Sequence, residues 1–280
     1  MPELPEVETV VRGLRRLATG ATIRCAEVVH ADLIAPTSPA DFDAGIARRT
    51  IRGVSRRAKN IVLDLGEARL VVNLGMTGRL LVLEPGDPEP SHPAVRMPLT
   101  DGRVLLYHDV RRFGRLDRFT AEEWERRSRA LGIEPLGPEF TPERLRRLAR
   151  TSRVALKTWL MGQRRVVGVG NIYASEALFR ARLSPRRWAR TLTRAEATRL
   201  HDAVRAVLTE AIEFRGTTLL DYRDPSGERG NFADRLLVYD RAGEPCRVCG
   251  APIRRIVQGG RSTFFCRTCQ RRPRRAARDR

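Results

Sequence analysis

The sequence has very little lysine, few aromatic residues and no long hydrophobic run. Only two of its 53 basic residues are lysines, and aromatic residues make up 6% of the 280. No stretch approaches the roughly 20 apolar residues that span a bilayer. The first residues are acidic, where a secretion signal would be basic. We therefore expect a cytoplasmic protein without membrane contact, in a compartment where disulfides are disfavoured.

Acidic residues are also scarce relative to basic ones. The chain has 33 Asp and Glu against 53 Lys and Arg, which gives a formal charge of +20. A GC-rich genome would explain arginine in place of lysine, but not an excess of cations over anions. The surplus therefore indicates a polyanionic partner, above all nucleic acid.

Hydrophobic periodicity predicts a mixed architecture. Helical spacing covers 5–18, and short β-rich runs separated by turns follow between 21 and 119. These runs are 61–65, 70–74, 80–83, 104–107 and 116–119, with a proline-rich loop at 84–93. Helical patterns then return at 123–131, 142–149, 154–160, 172–179 and 194–214. This order favours an α+β fold in which an N-terminal helix and a β-sandwich precede a helical domain.

Three domains are expected, with boundaries at 1–134, 135–240 and 241–280. The proline-rich stretch 135–142 is interpreted as a linker between the first two. The polar, glycine-containing segment 221–231 is expected to form a long loop. The last part combines a cysteine module with a basic tail at 271–280.

Four of the five cysteines form two Cys-x2-Cys pairs near the C-terminus. Sixteen residues separate Cys246 and Cys249 from the second pair, Cys266 and Cys269. This spacing is typical of one structural Zn²⁺ held by four thiolates, with 253–265 forming a β-hairpin between the pairs. Disulfides and an iron–sulfur cluster are the alternatives. Because four thiolates fill a tetrahedral site, the metal would be structural, and Cys25 would be a core residue.

Several shorter motifs are ambiguous when each is read alone. A Gly-Gly-Arg tip ending at Arg261 could bring a guanidinium to a phosphate or form an ordinary turn. Asn171 is expected to cap the N-terminus of the following helix, which could attract phosphate or only connect two helices.

The remaining short motifs are two turns with basic or apolar side chains and the N-terminal Pro2-Glu3 pair. Arg111 and Phe113 lie in a loop that could enter DNA or tuck the phenyl ring into the core. Met76 alone would be read as a core residue. Removal of Met1 would expose the Pro2 amine beside Glu3, a nucleophile–carboxylate pair, although a plain helix start is the commoner meaning of this sequence.

Five motifs of this sequence occur in the order of the formamidopyrimidine-DNA glycosylase family, which the chain resembles from Pro2 to Gln270. They are the opening Met-Pro-Glu-Leu-Pro-Glu-Val-Glu-Thr, Arg-Arg-Ala-Lys at 56–59, a pair of loops at 74–76 and 111–114 that together form one motif, the 160–176 segment and the cysteines. The resemblance implies a helix–two-turn–helix in the helical domain, a zinc-finger hairpin with four cysteine ligands, and damaged double-stranded DNA as partner. It also implies a monomer associated with the nucleoid.

The resemblance further implies a base-excision enzyme that removes oxidised purines and cleaves the strand. Pro2 would be the Schiff-base nucleophile, Glu3 its acid/base partner, and Lys59 and Arg261 would assist β- and δ-elimination. The implied DNA contacts are Met76, His92, Arg111, Phe113, Arg153, Lys157 and Asn171. Arg111 would face the orphaned base, and Asn171 would bind phosphate.

The sequence departs from the family pattern at a few positions. Asn73 stands where many relatives have His, Arg164 stands where some have Lys, and the residues flanking His92 do not fit. Two rival functions share many of these features: a non-enzymatic zinc-finger DNA binder and an enzyme of the endonuclease VIII type. Leu4 and the set of Met76, Arg111 and Phe113 favour the oxidised-purine branch. Since arginine stays protonated, only Pro2, Lys59 and Lys157 could supply the amine.

Overall fold

The computed structural model describes residues 2–217 and 230–271, which divide into two compact units. The first unit contains the described residues of 1–131 and 211–233, and the second those of 132–210 and 234–280. Most of the segment 221–231 and of the tail 271–280 lies outside the described residues.

The first unit is a β-sandwich preceded by helix α1 (Leu4–Ala18). One antiparallel sheet has the strand order β1-β6-β7-β5 and the other has the order β2-β3-β4-β8. The strands are β1 (Glu27–Val28), β2 (Gly53–Arg57), β3 (Asn60–Asp64), β4 (Ala68–Asn73), β5 (Arg79–Leu83), β6 (Pro93–Pro98), β7 (Val104–His108) and β8 (Arg115–Thr120). The apolar face of α1 shares one core with both sheets, and this packing confirms the expected fold class.

Four elements of this unit lie outside the runs expected from the sequence, namely α2 and the strands β1, β2 and β6. Helix α2 (Pro39–Ile46) occupies a region expected to be only β-rich, and Ser38 begins it by accepting the Asp41 N–H with its hydroxyl. A Ser-Pro pair with an acidic residue in the first turn is a local start signal that the β-rich interpretation leaves unused. Strand β6 was not predicted, because the prolines at both of its ends mask its hydrophobic alternation. It begins at Pro93, where the proline-rich loop was expected to end.

The second unit is helical and ends in a β-hairpin. Its helices are α4 (Pro142–Ala149), α5 (Leu156–Leu160), α6 (Asn171–Arg180) and α7 (Arg194–Glu213), while α3 (Ala121–Arg129) closes the first unit. The hairpin pairs β9 (Ile253–Gln258) with β10 (Arg261–Cys266), as expected for the cysteine module. A small core joins Phe179 of α6 to Ile253 and Phe264 of the hairpin.

The stretch 135–142, expected to be a linker, packs within the second unit. Phe140 is buried and stacks on the ring of His201 in α7. Arg205, also in α7, donates to the carbonyl oxygens of Pro135 and Gly137. Among the helices that the structure describes, none is both long and apolar enough to cross a membrane.

Candidate active site and nucleic-acid interface

Pro2 and Glu3 lie at the start of α1, held by a buried carboxylate. Glu3 is 3% exposed, and its backbone N–H donates to Oε2 of Glu6 at 2.8 Å. Oε1 of Glu6 accepts the N–H of Thr217 at 2.7 Å. Gly216 has a φ of +83°, and a Cβ there would meet Oε1 of Glu6 at 2.7 Å, so only glycine fits. The Glu6 carboxylate therefore joins the backbone at Glu3 to the backbone at Thr217.

Lys59 lies in the two-residue turn between β2 and β3. Ala58 adopts a left-handed φ of 57° in this turn, and its carbonyl accepts from Arg56 at 2.9 Å. The same guanidinium pairs with Glu8 of α1 at 3.1 Å. Arg57 donates to the hydroxyl and carbonyl of Ser128. The turn that carries Lys59 is thus tied to helix α1, which Pro2 and Glu3 directly precede.

Asp109 connects the two turns that hold Met76 and Phe113. Its Oδ1 accepts the Thr77 hydroxyl at 2.6 Å, and its Oδ2 accepts the Gly114 N–H at 2.8 Å and the Tyr107 hydroxyl at 3.2 Å. Burial and the charge of Asp109 raise the pKa of Tyr107, so the phenol stays a donor. A Cβ on Gly114 would lie 1.6 Å from the Tyr107 hydroxyl. The hydrogen bonds of Asp109 therefore hold the two turns together.

The tip of the second turn is exposed and apolar. Phe113 is 58% exposed, and the Arg111 guanidinium lies 4.8 Å from its ring centroid. The phenyl ring is therefore not tucked into the core. Met76 is half-buried in the neighbouring turn. An aromatic ring presented on a rigid turn with a cation above it suits insertion between stacked bases.

His92 is exposed with a left-handed φ of 66°, directly before β6. Its ring meets that of His108 edge to face, with centroids 6.4 Å apart. Burial lowers the pKa of His108, and Arg79 contributes to the shift. Asn73, the departure from the family pattern, donates to Asn60 and accepts the Gly75 N–H, and so supports the Met76 turn.

In the second unit, Lys157 is a buried charge at the centre of a polar cluster. It is 1% exposed, and its Nζ donates to Asn171 Oδ1, the Ser262 carbonyl and the Thr263 hydroxyl. These partners come from α6 and β10. Lys157 thus joins α5 to the helix and the hairpin that carry the phosphate-binding candidates Asn171 and Arg261.

Asn171 does not cap α6, contrary to the sequence-based expectation. Gly170 occupies the N-cap position without a side-chain hydrogen bond. The Asn171 amide is used instead between Lys157 and Tyr239, whose hydroxyl accepts from Nδ2 at 3.3 Å. A competing buried cation therefore redirects the side chain from its own helix. Arg153 is exposed in the segment before α5.

Glu176 anchors the segment that carries Tyr239. Its carboxylate accepts the backbone N–H groups of Leu237, Val238 and Tyr239 at 2.8–2.9 Å. Burial raises the pKa of Glu176, and these three donors oppose the shift. The ring of Tyr239 packs against Phe264 of β10, with centroids 5.1 Å apart. Tyr239 is thereby fixed beside Asn171.

The four predicted cysteines come together at the base of the hairpin. Their sulfurs all lie within 4.8 Å of one another, with Cys246–Cys269 at 3.9 Å and Cys249–Cys266 at 3.5 Å. Around a tetrahedral Zn²⁺ with bonds of about 2.3 Å, sulfurs lie about 3.8 Å apart. The Ala251 N–H and the neighbouring thiols lower the pKa of Cys249 to about 7. The cluster therefore fits one structural zinc ion, and Cys25 lies apart from it in sequence and unit.

Sequence reasoning assigned no role to three buried carboxylates. Glu6, Asp109 and Glu176 are each at most 2% exposed, and each accepts backbone N–H donors beside a candidate site residue. Glu6 lies in the opening motif and Glu176 in the 160–176 motif, so the residues themselves were in view. The bond from Glu3 to Glu6 belongs to a local capping box, but the partners Thr217 of Glu6 and Val238 of Glu176 are 211 and 62 positions away, and no local pattern reveals them.

Three family models match the chain in succession. They are the formamidopyrimidine-DNA glycosylase N-terminal domain over residues 1–116, the H2TH domain of the same enzymes over 131–222, and the zinc finger found in these glycosylases and isoleucyl-tRNA synthetase over 243–272. Together they cover most of the sequence.

Full-length relatives carry the same name. The chain is 45% identical over 273 residues to the formamidopyrimidine-DNA glycosylase of Yersinia pestis strain Pestoides F, covering 98% of both chains. It is 44% identical over 272 residues to that of Symbiobacterium thermophilum, covering 96% of this chain and 89% of the relative.

Solved structures agree with these sequence matches. The MutM (Fpg) protein of Thermus thermophilus is 44% identical with a TM-score of 0.86, and 96% and 98% of the two chains are covered. Lactococcus lactis Fpg with abasic-site DNA and with Fapy-dG DNA is similar at 31% identity, with TM-scores of 0.90 and 0.89. Each covers 96% of this chain and all of the other.

Zinc removal tests the cysteine cluster. We expect one zinc ion per chain, and Cys249→Ser should lose it and disorder the hairpin, because a structural zinc site contributes folding energy directly. Metal analysis and amide hydrogen exchange over 253–266 measure the two effects. Cys25→Ser, the matched control, should retain one zinc. A Cys249→Ser hairpin with unchanged exchange protection would contradict the assignment.

Proposed function

The chain belongs to the formamidopyrimidine-DNA glycosylase family, and from this premise we propose that it removes oxidised purines from DNA and then cleaves the strand. It is a DNA glycosylase by family, and its proposed lesions are 8-oxoguanine and formamidopyrimidines. The observation that carries the proposal is the buried frame at Pro2 and Glu3, where Glu6 accepts the Glu3 and Thr217 N–H groups. The complexes of Lactococcus lactis Fpg with Fapy-dG and abasic-site DNA support this substrate class.

The first chemical step is attack by the Pro2 nitrogen on C1′ of the damaged nucleotide. The terminal amine becomes available once Met1 is removed, and an α-amine (pKa about 8) is less basic than a lysine amine (about 10.4). The N–C1′ bond forms, the glycosidic bond breaks, and the base leaves with the bonding electrons and a proton. Glu3 protonates O4′ as the sugar ring opens, so the secondary amine ends as a cationic iminium.

Strand cleavage follows from the charge of that iminium. The cation acidifies the C2′ protons, and loss of one of them expels the 3′-phosphate by β-elimination. A second elimination expels the 5′-phosphate. Lys59, in its braced turn, is proposed to bind phosphate and assist the first elimination, and Arg261 the second. The zinc ion has no open position and serves only to hold the hairpin of Arg261.

Access to the lesion requires that the nucleotide leave the duplex. Flipping a base costs a few kcal/mol, and the braced turns offer groups that fill the gap. We propose that Met76 and Phe113 occupy the vacated stack and that Arg111 faces the orphaned base. His92 and Arg153, both exposed, are proposed as contacts to the DNA backbone.

Phosphate binding in the second unit is assigned to Asn171 and Arg261, and Lys157 is assigned a positioning role. Lys157 is 1% exposed, and three oxygens surround its ammonium. It therefore acts on DNA through Asn171 and β10 rather than by direct contact. We propose that a monomer acts on damaged double-stranded DNA in the nucleoid, as the family resemblance implies.

The nucleophile assignment predicts a covalent adduct. Borohydride should trap mature protein on abasic DNA through Pro2, and Pro2→Gly should reduce excision by orders of magnitude, because the secondary amine is lost. Peptide mapping of the adduct and single-turnover excision of 8-oxoguanine and of thymine glycol measure this. Pro5→Gly, in the same helix turn, is the control for folding. An adduct on Lys59 with Pro2 unmodified would refute the assignment, and preference for thymine glycol would refute the lesion class.

Salt dependence separates phosphate contacts from base reading. Lys59→Ala and Arg261→Ala should each lower the slope of log K against log salt by about one unit, since each contact releases counterions. Arg111→Ala should instead flatten discrimination among bases opposite 8-oxoguanine, by roughly 1–3 kcal/mol for the preferred pair. Excision opposite C, T, G and A gives the measurement. If Arg111→Ala slowed excision equally opposite all four bases, Arg111 would contact only the DNA backbone and not the orphaned base.

A double-variant cycle tests the indirect role of Lys157. Lys157→Met should weaken DNA binding because Asn171 and β10 lose their common partner, and unsatisfied buried acceptors cost about 1–3 kcal/mol of stability each. On an Arg261→Ala background it should cause no further loss of salt slope. A further loss of about one unit would mean that Lys157 binds phosphate itself. Thr263→Val, which removes one acceptor and no charge, is the milder comparison.

A further inference from the structure

A groove lined by arginines runs along one face of the zinc hairpin, and none of the residues that line it has a role in the proposed function. Its larger part is a cavity of about 640 Å³ beside the cysteine end of the hairpin. The buried side chains of Ser184, Phe265 and Gln270 contribute to its floor. Its walls carry five exposed arginines, which are Arg186, Arg254, Arg255, Arg267 and Arg271.

The groove continues toward the hairpin tip. A second cavity of about 350 Å³ is lined by Gln258 and Val257 and shares Arg186 and Ile256 with the first. Gln258 is directly opposite Arg261 in the hairpin register. The two cavities together therefore lead from the base of the hairpin to the residue proposed to bind phosphate at the lesion.

The positive charge of this groove has no carboxylate partner among the residues that the structure describes. Within the described ranges, none of the five arginines forms an ion pair with a carboxylate. Arg255 donates to the Ser262 hydroxyl, which carries no charge. Like charges held this close repel one another and gather anions from solution. A ligand that releases several of those anions at once gains free energy from their release.

We propose that this groove binds the phosphodiester backbone of the DNA flank beyond the lesion. The inference rests on the proposed role of Arg261, because the strand held at the tip is the strand that would enter the groove. Guanidinium groups match phosphate oxygens in a two-pronged geometry. Four residue steps separate Arg254 from Gln258 along β9, which is about 13 Å, or about four base-pair steps of duplex.

An acidic peptide is the competing occupant, since carboxylates also pair with arginine. The observations favour DNA because the groove ends beside Arg261 and belongs to the same hairpin. A peptide would have no reason to begin at that tip. The groove thus extends the DNA interface of the second unit and adds affinity without reading the lesion.

The test compares two double variants of equal charge in the full chain. Arg186→Ala with Arg254→Ala removes two groove cations and spares Arg255, which bonds within the hairpin. Arg150→Ala with Arg194→Ala removes two exposed arginines of the same unit that do not line the groove. Binding is measured against salt on duplexes that carry an abasic-site analogue and are extended on one side at a time.

On duplexes extended on one side by more than about four base pairs past the lesion contacts, the groove variant should lose about two units of salt slope. On shorter duplexes its slope should equal that of the parent. The control variant should match the parent at every length, both in salt slope and in single-turnover excision. Arg261→Ala, in contrast, should lower the slope at every length.

Three outcomes would overturn the groove assignment. They are an unchanged slope in the groove variant, an equal loss in the control variant, and groove-dependent binding of a glutamate-rich decapeptide with DNA slopes unchanged. A normal slope in Arg261→Ala, or absence of lesion excision in the parent protein, would instead count against the proposed function. The two failures are therefore distinguishable.

Discussion

A charge can be buried in a protein only when hydrogen bonds on several sides replace the water that it loses. That constraint shapes both units of this chain. Glu6 and Asp109 meet it in the first unit, and Lys157 and Glu176 meet it in the second. Each of these groups bonds to at least one segment that is distant in sequence, so satisfying the charge also fixes that segment relative to the element that carries the charge. The candidate site residues lie next to these fixed points.

The exposed candidate residues depend on the buried charges for their position. The groups that we propose to contact DNA, such as Arg111, Phe113 and Arg261, are exposed. An exposed side chain has little packing of its own to hold it, and its position depends on the backbone beneath it. The Asp109 bonds to Gly114 and Thr77 supply that support for one turn, and the Lys157 bonds to β10 supply it for the hairpin. The buried charges of Asp109 and Lys157 therefore hold the backbone that positions the exposed side chains.

Local sequence patterns predicted much of this architecture. The period of α1, the alternation of most strands and the Cys-x2-Cys spacing are local, and the structure reproduces them. Helix α2 was not predicted, although its Ser38 cap is also a local signal, because the region around it has the alternation typical of strands. The role of Asn171 could not be predicted in this way. Its helix offers an N-cap position, but Lys157, fourteen residues earlier, binds the amide more strongly than a backbone N–H would.

The near absence of lysine acquires a chemical meaning once the structure is known. Guanidinium groups keep their protons at ordinary pH, so they can bind phosphate without ever competing for C1′. Of the two lysines, Lys157 donates to three oxygens, and an ammonium used in this way has no lone pair to offer. The amines left for the proposed covalent chemistry are those of Pro2 and Lys59. The described contacts place the first in the buried frame of Glu6 and the second on a turn tied to the same helix through Arg56 and Glu8. An arginine-rich surface can thus be strongly attractive to DNA while leaving the reactive amines few and fixed.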